Sequence, residues 1–561
     1  MNIKGGFTVK KTLVLFLVAC LVLLVGCEST TKVVNPYSST IDTSSDEIEV
    51  DETGKAKGSY QLTGGDELSL SLMGDEEETV VTSLVEKGTS VPTLQTKWRT
   101  MNFVPVESQI EAQATEMRNN IINSANTDQY YTWTGKTYYI SPDGNDNNDG
   151  LSPKNAVQTI DADVFTLNPP QPGDAILFER GGLWRLTNRI RALEGVTYGS
   201  YGTGEKPTFY GSAYNYADEK FWLASKKAYV WKVTVPDIDI GNIVFNHGEL
   251  VGRKRLNGVT SLENDGDFYY NNNDDTVYLF YKGGNPGKCF DDIEICLTVA
   301  AFGSAKSNLV IDNFKIKYFG QGGVYFGAGT VNTAVTHCEF GFLGGYKTSD
   351  ARAGNCVQQW NNCDTQRVAD NWMYQAYDTG YTFQGSDNYG PAVDDNGVKL
   401  IGDKMVYKDI TVENNLIEYC NYAIEAWHGD NSDDLPCEAQ ILNFKLQNNI
   451  LRYSGYGWGG MQRSDFTGYN FYVGRRNFKN AKGCVISGNI MDLSSRSLVY
   501  WNYSGVRLGE WTIKDNIFYQ SKNQRNEGVW SGTIKYSYDQ ATLESAVSIF
   551  DSAPGKVTWV E

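Results

Sequence analysis

One short unit recurs through the second half of the chain, and few folds accommodate it: apolar-x-apolar-x-x-Asn-apolar-x-apolar. It reads Leu309-Val-Ile-Asp-Asn313-Phe, Ile410-Thr-Val-Glu-Asn-Asn415-Leu-Ile, Phe444-Lys-Leu-Gln-Asn-Asn449-Ile-Leu, Cys484-Val-Ile-Ser-Gly-Asn489-Ile and Trp511-Thr-Ile-Lys-Asp-Asn516-Ile, with a degenerate copy at Val368-Ala-Asp-Asn371-Trp-Met. Successive Asn positions lie 58, 44, 34, 40 and 27 residues apart; His337-Cys338-Glu339-Phe340, a copy without Asn, divides the 58 into 25 and 33. A minimum near 25 residues with variable additions describes a solenoid coil carrying loops. Short alternating strands with an Asn at one bend fit a parallel β-helix, in which side chains stack coil on coil and the Asn hydrogen-bonds along its own ladder. Leucine-rich repeats need Leu-x-x-Leu-x-Leu, which is absent. The expected fold is all-β, a right-handed parallel β-helix.

A solenoid lengthens without enlarging its core, so 561 residues need not divide into several globular domains. Fifty-seven Gly, 35 Tyr and only 14 Pro suit a β-rich chain with many tight turns. The net charge of −18 argues against nucleic acid or an anionic membrane surface as partner. The Cys residues beyond Cys27 form no CxxC pair, against a zinc knuckle, and buried free thiols are expected.

Residues 1–26 read as a signal: Lys4, Lys10 and Lys11, then an apolar run from Leu13 to Val25, shorter than the about 20 residues of a membrane span. Residues 27–100 are acidic and Ser/Thr-rich at the start, and read as a tether. Val106, Ile110, Ala114, Met117 and Ile121 fall at helical spacing, which predicts a helix within 101–135, capping the open end of the β-domain. First coils are expected over 136–240, an inserted antiparallel β-subdomain over 241–300, the main β-helix over 301–535 and a C-terminal cap or tail over 536–561. In the turn 141–150, Asn145, Asn147, Asp149 and Gly150 mimic the front of a calcium loop, but Ala156 stands where the bidentate Glu belongs. Calcium lacks a clear motif, and no cofactor or metal site is expected.

Two resemblances add to this. Leu24-Val25-Gly26-Cys27 resembles the bacterial lipobox, which implies lipidation of Cys27 and a protein anchored to the cell membrane, facing outward. Tyr138 to Asp149, Pro172-Gly-Asp-Ala-Ile-Leu-Phe-Glu-Arg-Gly181 and Gly195 to Gly211 resemble the N-terminal coils of bacterial right-handed β-helix proteins, among them polysaccharide lyases and glycoside hydrolases. That resemblance covers roughly residues 100 to 530 and implies a carbohydrate-active protein. It does not select the bond broken.

Aligning coils on their Asn makes Tyr381 and Ile424 equivalent inward residues. Thr382 and Glu425 then share an outward ladder with Gln358, and Asp378 lies near the bend. Residues 385–407 read as a loop, so Asp378 and Glu425 are expected one coil apart. Stacked strands lie about 4.8 Å apart, close to the about 5–5.5 Å between the carboxyl groups of a retaining glycosidase. Asp378 and Glu425 are the candidate acid and nucleophile or base, with His428 as a third catalytic residue and Asp430 beside it tuning their proton affinity. Gln358, Trp360, Tyr381, Gln384, Trp427, Asp430 and Arg463 are the candidate substrate-binding residues. Trp360, Trp427, Trp458 and Trp501 close successive coils and either stack on sugars or fill the core. His337 reads as packed in a strand and His247 has no obvious carboxylate partner. The expected activity is glycoside hydrolysis of a polysaccharide by a monomer; a polysaccharide lyase and a non-catalytic carbohydrate-binding surface protein are the alternatives.

Overall fold

The computed structural model describes residues 80–83, 106–347, 352–386, 405–429, 439–463, 467–474, 478–501, 511–523, 529–531 and 537–561. The expected signal, Cys27, Cys437 and Asp430 lie outside these residues.

Alternating apolar residues need two faces to bury, and here the chain buries them by winding. From Leu309 onward it visits three sheets in turn, as in Leu309–Asp312, Lys315–Lys317, Gly322–Phe326, then Thr330–Thr336, Glu339–Gly341, Asn355–Trp360. The coil strands pair in parallel with their equivalents one coil on, and with one added antiparallel edge strand they give sheets of twelve, eleven and nine strands among the described residues. The protein is a parallel β-helix.

The interior is built of rows. Ile311, Val335, Val368, Val412, Leu446, Ile486 and Ile513 follow one another in register through seven coils of the twelve-strand face, and all are buried. Each such side chain contributes about 1.5–3 kcal/mol of burial. The cysteines belong to the same packing: Cys296, Cys338, Cys356, Cys363, Cys420 and Cys484 are buried free thiols, and Cys289 is an exposed one.

The corner after the twelve-strand face carries two further rows. Asn313, His337, Asp370, Asn414, Asn448, Gly488 and Asp515 all have positive φ, between 51° and 72°. Asn, Asp and Gly tolerate that left-handed turn best. The next residues are Phe314, Cys338, Asn371, Asn415, Asn449, Asn489 and Asn516. Here the Asn ladder forms. The backbone N–H and side-chain amide of Asn371 both donate to Asn415 Oδ1, at 3.0 Å each. The same pair of bonds joins Asn415 to Asn449, Asn449 to Asn489 and Asn489 to Asn516. Asn516 donates to Asp551 Oδ2. Aligning the first copy on Asn313 is thus wrong by one residue: Asn313 occupies the left-handed position, and Phe314 the ladder position.

The helix forms at Glu111–Ile122, with Ile110, Ala114 and Ile121 buried, but it does not cap an end. It lies across the outside of the eleven-strand face, because its polar residues find partners on successive coils. Arg118 donates to Glu418 at 3.1 Å, Arg452 pairs with Glu111 at 2.7 Å, and Ser108 just ahead donates to Asp492 at 2.7 Å. Val80–Ser83, inside the expected tether, is a strand antiparallel to Gly182–Arg185.

The antiparallel insertion is present and starts earlier than expected. Asp267–Asn271 and Thr276–Phe280 form the anticipated hairpin, but Val230–Thr234 also pairs with the second strand. The excursion therefore occupies the interval between Thr208–Tyr210 and Ala300–Ser304. In the turn 141–150, Asn145 and Asp149 accept backbone N–H groups of that turn, and Asp146 accepts from Gln158 and Thr159. The C-terminal residues cap the coil: Leu543, Ala546, Val547 and Phe550 of the helix Gln540–Phe550 are buried in the core, and Lys556–Trp559 adds a last parallel strand.

Candidate active site

The nine-strand face carries the candidate residues on Asn355–Trp360, Thr379–Ser386, Tyr422–Gly429 and Tyr469–Gly474. Register pairs Gln358 with Thr382, Thr382 with Glu425, and Glu425 with Tyr472. The expected outward row of Gln358, Thr382 and Glu425 is therefore present, and Glu425 lies one coil from the strand that Asp378 precedes. Two residues further along, Trp360, Gln384 and Trp427 form a second row.

Asp378 sits at the corner leading into Thr379–Ser386, its amide bound to Gly354 O at 3.0 Å. The Asp378 carboxylate pairs with the Arg463 guanidinium. Arg463 also donates to the Tyr422 hydroxyl at 3.3 Å and lies over the Tyr422 ring. Arg463 ends a short helical turn, Trp458–Gln462, that comes from a later coil and folds back over the corner. Trp458 anchors this turn: it is buried, and its indole N–H donates to Gln375 O. Gly459 permits the approach, since a Cβ there would stand 2.4 Å from Tyr377 O.

Glu425 is 6% exposed. Thr382 and Thr379 donate their hydroxyls to its Oε2 at 2.9 and 3.3 Å. Burial raises its proton affinity most, the Asp378 charge raises it further, and the threonines and Arg463 oppose both; the result is a carboxyl pushed up to about 8. With Oε2 occupied by two donors, Oε1 is left to carry the proton. Burial also pushes the Tyr422 phenol up to about 12.

Beside the pair lie two kinds of surroundings. Toward the N-terminal coils, Asn355 and Gln384 donate to Gln358 Oε1 at 2.7 and 2.9 Å, which leaves Gln358 its amino group to offer a ligand. Toward the C-terminal coils, Tyr422, Tyr469 and Tyr472 stack within 5.0–5.6 Å and 12° of parallel. Those rings cover one another and keep water from Glu425.

Three expectations need correction. Strand alternation turns His428 inward when Glu425 points outward; His428 is fully buried and its Nδ1 lies 3.3 Å from the Tyr407 hydroxyl. Tyr381 is likewise inside the coil, bonded to Gln366, and is not on the substrate face. His247 does have a carboxylate neighbour, Asp292, at 3.5 Å. Of the four tryptophans, Trp458 and Trp501 are core, Trp360 is 7% exposed, and Trp427 is half-buried on the outer face. His337 is at a corner, bonded to Asp312 at 2.7 Å. The residues missed from sequence, Thr379, Tyr422 and Tyr472, were accessible by carrying the Asn-based alignment back to the start of each strand and on by one coil. Among the described residues no group of three or more His, Cys, Asp and Glu stands together as a metal site.

No protein-family model matches the chain, and no curated protein matches it. Among solved structures it is similar to XylC in complex with xylose, at 11% identity over 71% of this chain and 73% of that one, with a TM-score of 0.41. It is similar to a glycoside hydrolase at 12% identity over 76% and 96%, TM-score 0.40, and to the pectate lyase Pel9A at 11% over 71% and 78%, TM-score 0.32. Likenesses this distant concern the fold alone.

Proposed function

We propose that this protein is a cell-surface glycoside hydrolase acting on a polysaccharide laid across the nine-strand face. One observation carries the reading: two carboxyl groups from neighbouring coils sit in contrasting surroundings, Asp378 ion-paired with Arg463 and Glu425 buried against threonine hydroxyls with its proton affinity raised. Such a divergence separates an acid from its partner. Glu425 gives its proton to the glycosidic oxygen as the bond to the anomeric carbon breaks. Asp378 then either attacks that carbon or takes a proton from the water that does. In the first case a single water, deprotonated by the Glu425 carboxylate, then releases the sugar from Asp378 and restores both groups. The anomer released first reports which route operates.

Elimination is less well supported, because a tyrosine held at about 12 is a poor base at neutral pH. The test is a screen of polysaccharides for new reducing ends and, in the same wells, for the ultraviolet absorbance of a new double bond. Glu425→Gln and Asp378→Asn are expected to lower reducing-end release by about 10²–10⁴-fold with glycan binding retained. Glu425→Gln should lose far less on an aryl glycoside whose leaving group needs no proton. Full activity in both variants would sink the assignment. The surface location rests on the lipobox resemblance; Cys27→Ala is expected to move the protein from the membrane fraction to the soluble one.

A further inference from the structure

At the corner between the twelve- and eleven-strand faces, the helix Glu111–Ile122 leaves a groove of 530 Å³ beside the coils. One wall is the helix, which presents Gln113 and Asn120 exposed beside Met117 and Ile121, and Ile450 and Ile490 of the coils lie at the foot of the groove. The other wall is the left-handed row: His337, Asp370, Asn414, Asn448 and Gly488, one residue from each of five coils. Register fixes that row, since the residue before each is paired with its counterpart on the next coil. At one end, Tyr130 lies face to face on His337, 3.9 Å between centroids and 20° between planes, and remains 43% exposed.

We propose that this groove is a second, non-catalytic saccharide site that takes a neutral β-linked polysaccharide. It shares no residue with Asp378, Glu425 or their partners. Side-chain amides offer donors and an acceptor together, which matches sugar hydroxyls that do both. The backbone presents these groups every about 4.8 Å, so a ligand that itself repeats meets the same chemistry coil after coil. Tyr130 supplies an aromatic surface for a sugar ring at the end of the row. The volume is within the range of ligand sites. Glu116 and Asp370, on a chain of net charge −18, disfavour a polyanion.

The test is titration calorimetry on the Asp378→Asn/Glu425→Gln protein, which removes turnover, with xylohexaose, cellohexaose and laminarihexaose in turn. Tyr130→Ala, Gln113→Ala and Asn448→Gly are then added singly. Glycine keeps the left-handed backbone at 448, and Gln113 is exposed on the helix, so neither change threatens the fold. Saturable binding of at least one hexasaccharide is expected, with a component weakened about tenfold by Tyr130→Ala and Asn448→Gly and untouched by Trp427→Ala. Absence of saturable binding for all three sugars overturns the proposal. So does binding that survives every groove substitution. A groove that binds while Glu425→Gln keeps full turnover sinks only the catalytic reading; a silent groove with turnover lost in Glu425→Gln sinks only this one.

Discussion

Glu425 concentrates the chemistry because two effects act on one carboxyl in the same direction. Its proton is held more tightly in the folded chain than in the unfolded one, about 8 against 4.5. Its contribution to stability is therefore full below 4.5 and falls away as pH rises through about 8. Glu425→Gln cannot titrate, so the variant is expected to gain on the parent in thermal unfolding across that window. A parent that keeps pace at pH 9 would contradict the burial argument. In turnover, kcat is expected to fall on the alkaline side near 8, and a profile flat to pH 10 would remove Glu425 as the acid. The row of Gln358, Thr382 and Glu425 was legible in sequence, since counting by twos from an anchored Asn is enough to find it. His428 was grouped with Glu425 by nearness along the chain, although strand parity puts it on the other side; Tyr381 was correctly read as inward, which is itself at odds with a substrate-binding role. Arg463 and Asp378 were both named from sequence, yet their pairing was not, because the Trp458–Gln462 turn crosses coils and no periodicity records that return.

The element that repeats is the Asn corner, and its hydrogen bonds have a direction. Each Asn gives two donors to the next coil, and from Asn415 to Asn516 each receives two from the previous one, while Asn371 receives the Cys338 N–H alone. Asn449→Ala is expected to orphan the Asn415 backbone N–H and to take the side-chain donor away from Val412 O and Gln447 O. At about 1–3 kcal/mol for each buried unsatisfied group, that single change is expected to lower stability by several kcal/mol, measured by denaturant unfolding. The end of the ladder differs. Asn516 needs only an acceptor beyond it, and Asp551 supplies one. Asp551→Asn keeps a carbonyl for Asn516 but gives up the acceptor of the Ala553 N–H, so it is expected to cost less than Asp551→Ala, which removes both and is expected to cost about 1–3 kcal/mol for each buried group left unpaired. Equal losses in the two would mean the carboxylate charge matters. The ladder itself was visible in sequence, but its true phase was not. Asn is favoured both at the left-handed turn and at the ladder, so Asp-Asn313-Phe looks like Glu-Asn-Asn415 until register is known.

At the scale of the molecule, a solenoid has no distant half to fold onto, and its coils are joined mainly to their neighbours. The helix Glu111–Ile122 and the residue ahead of it supply longer ties. Glu418 is fully buried and accepts from Arg118, Arg452 and the Trp372 indole, while Glu111 holds Arg452 from outside. Removing this carboxylate strands two arginines: Glu418→Ala is expected to cost about 3–5 kcal/mol. It is also expected to free the helix for proteolysis before the coils unfold; simultaneous loss of both would show that the helix is not a separable strap. Sequence foresaw such a helix from its spacing and misjudged its seat, since amphipathicity reports that one face is buried but not against what. The direction of the Asn bonds also bears on how the chain is made. As it leaves the ribosome, each coil from Asn371 to Asn516 holds amide donors whose acceptor lies on a stretch not yet synthesised, and Asp551 supplies the acceptor that ends the row. A chain interrupted before Asp551 therefore ends as an open template, ready to pair with its own kind.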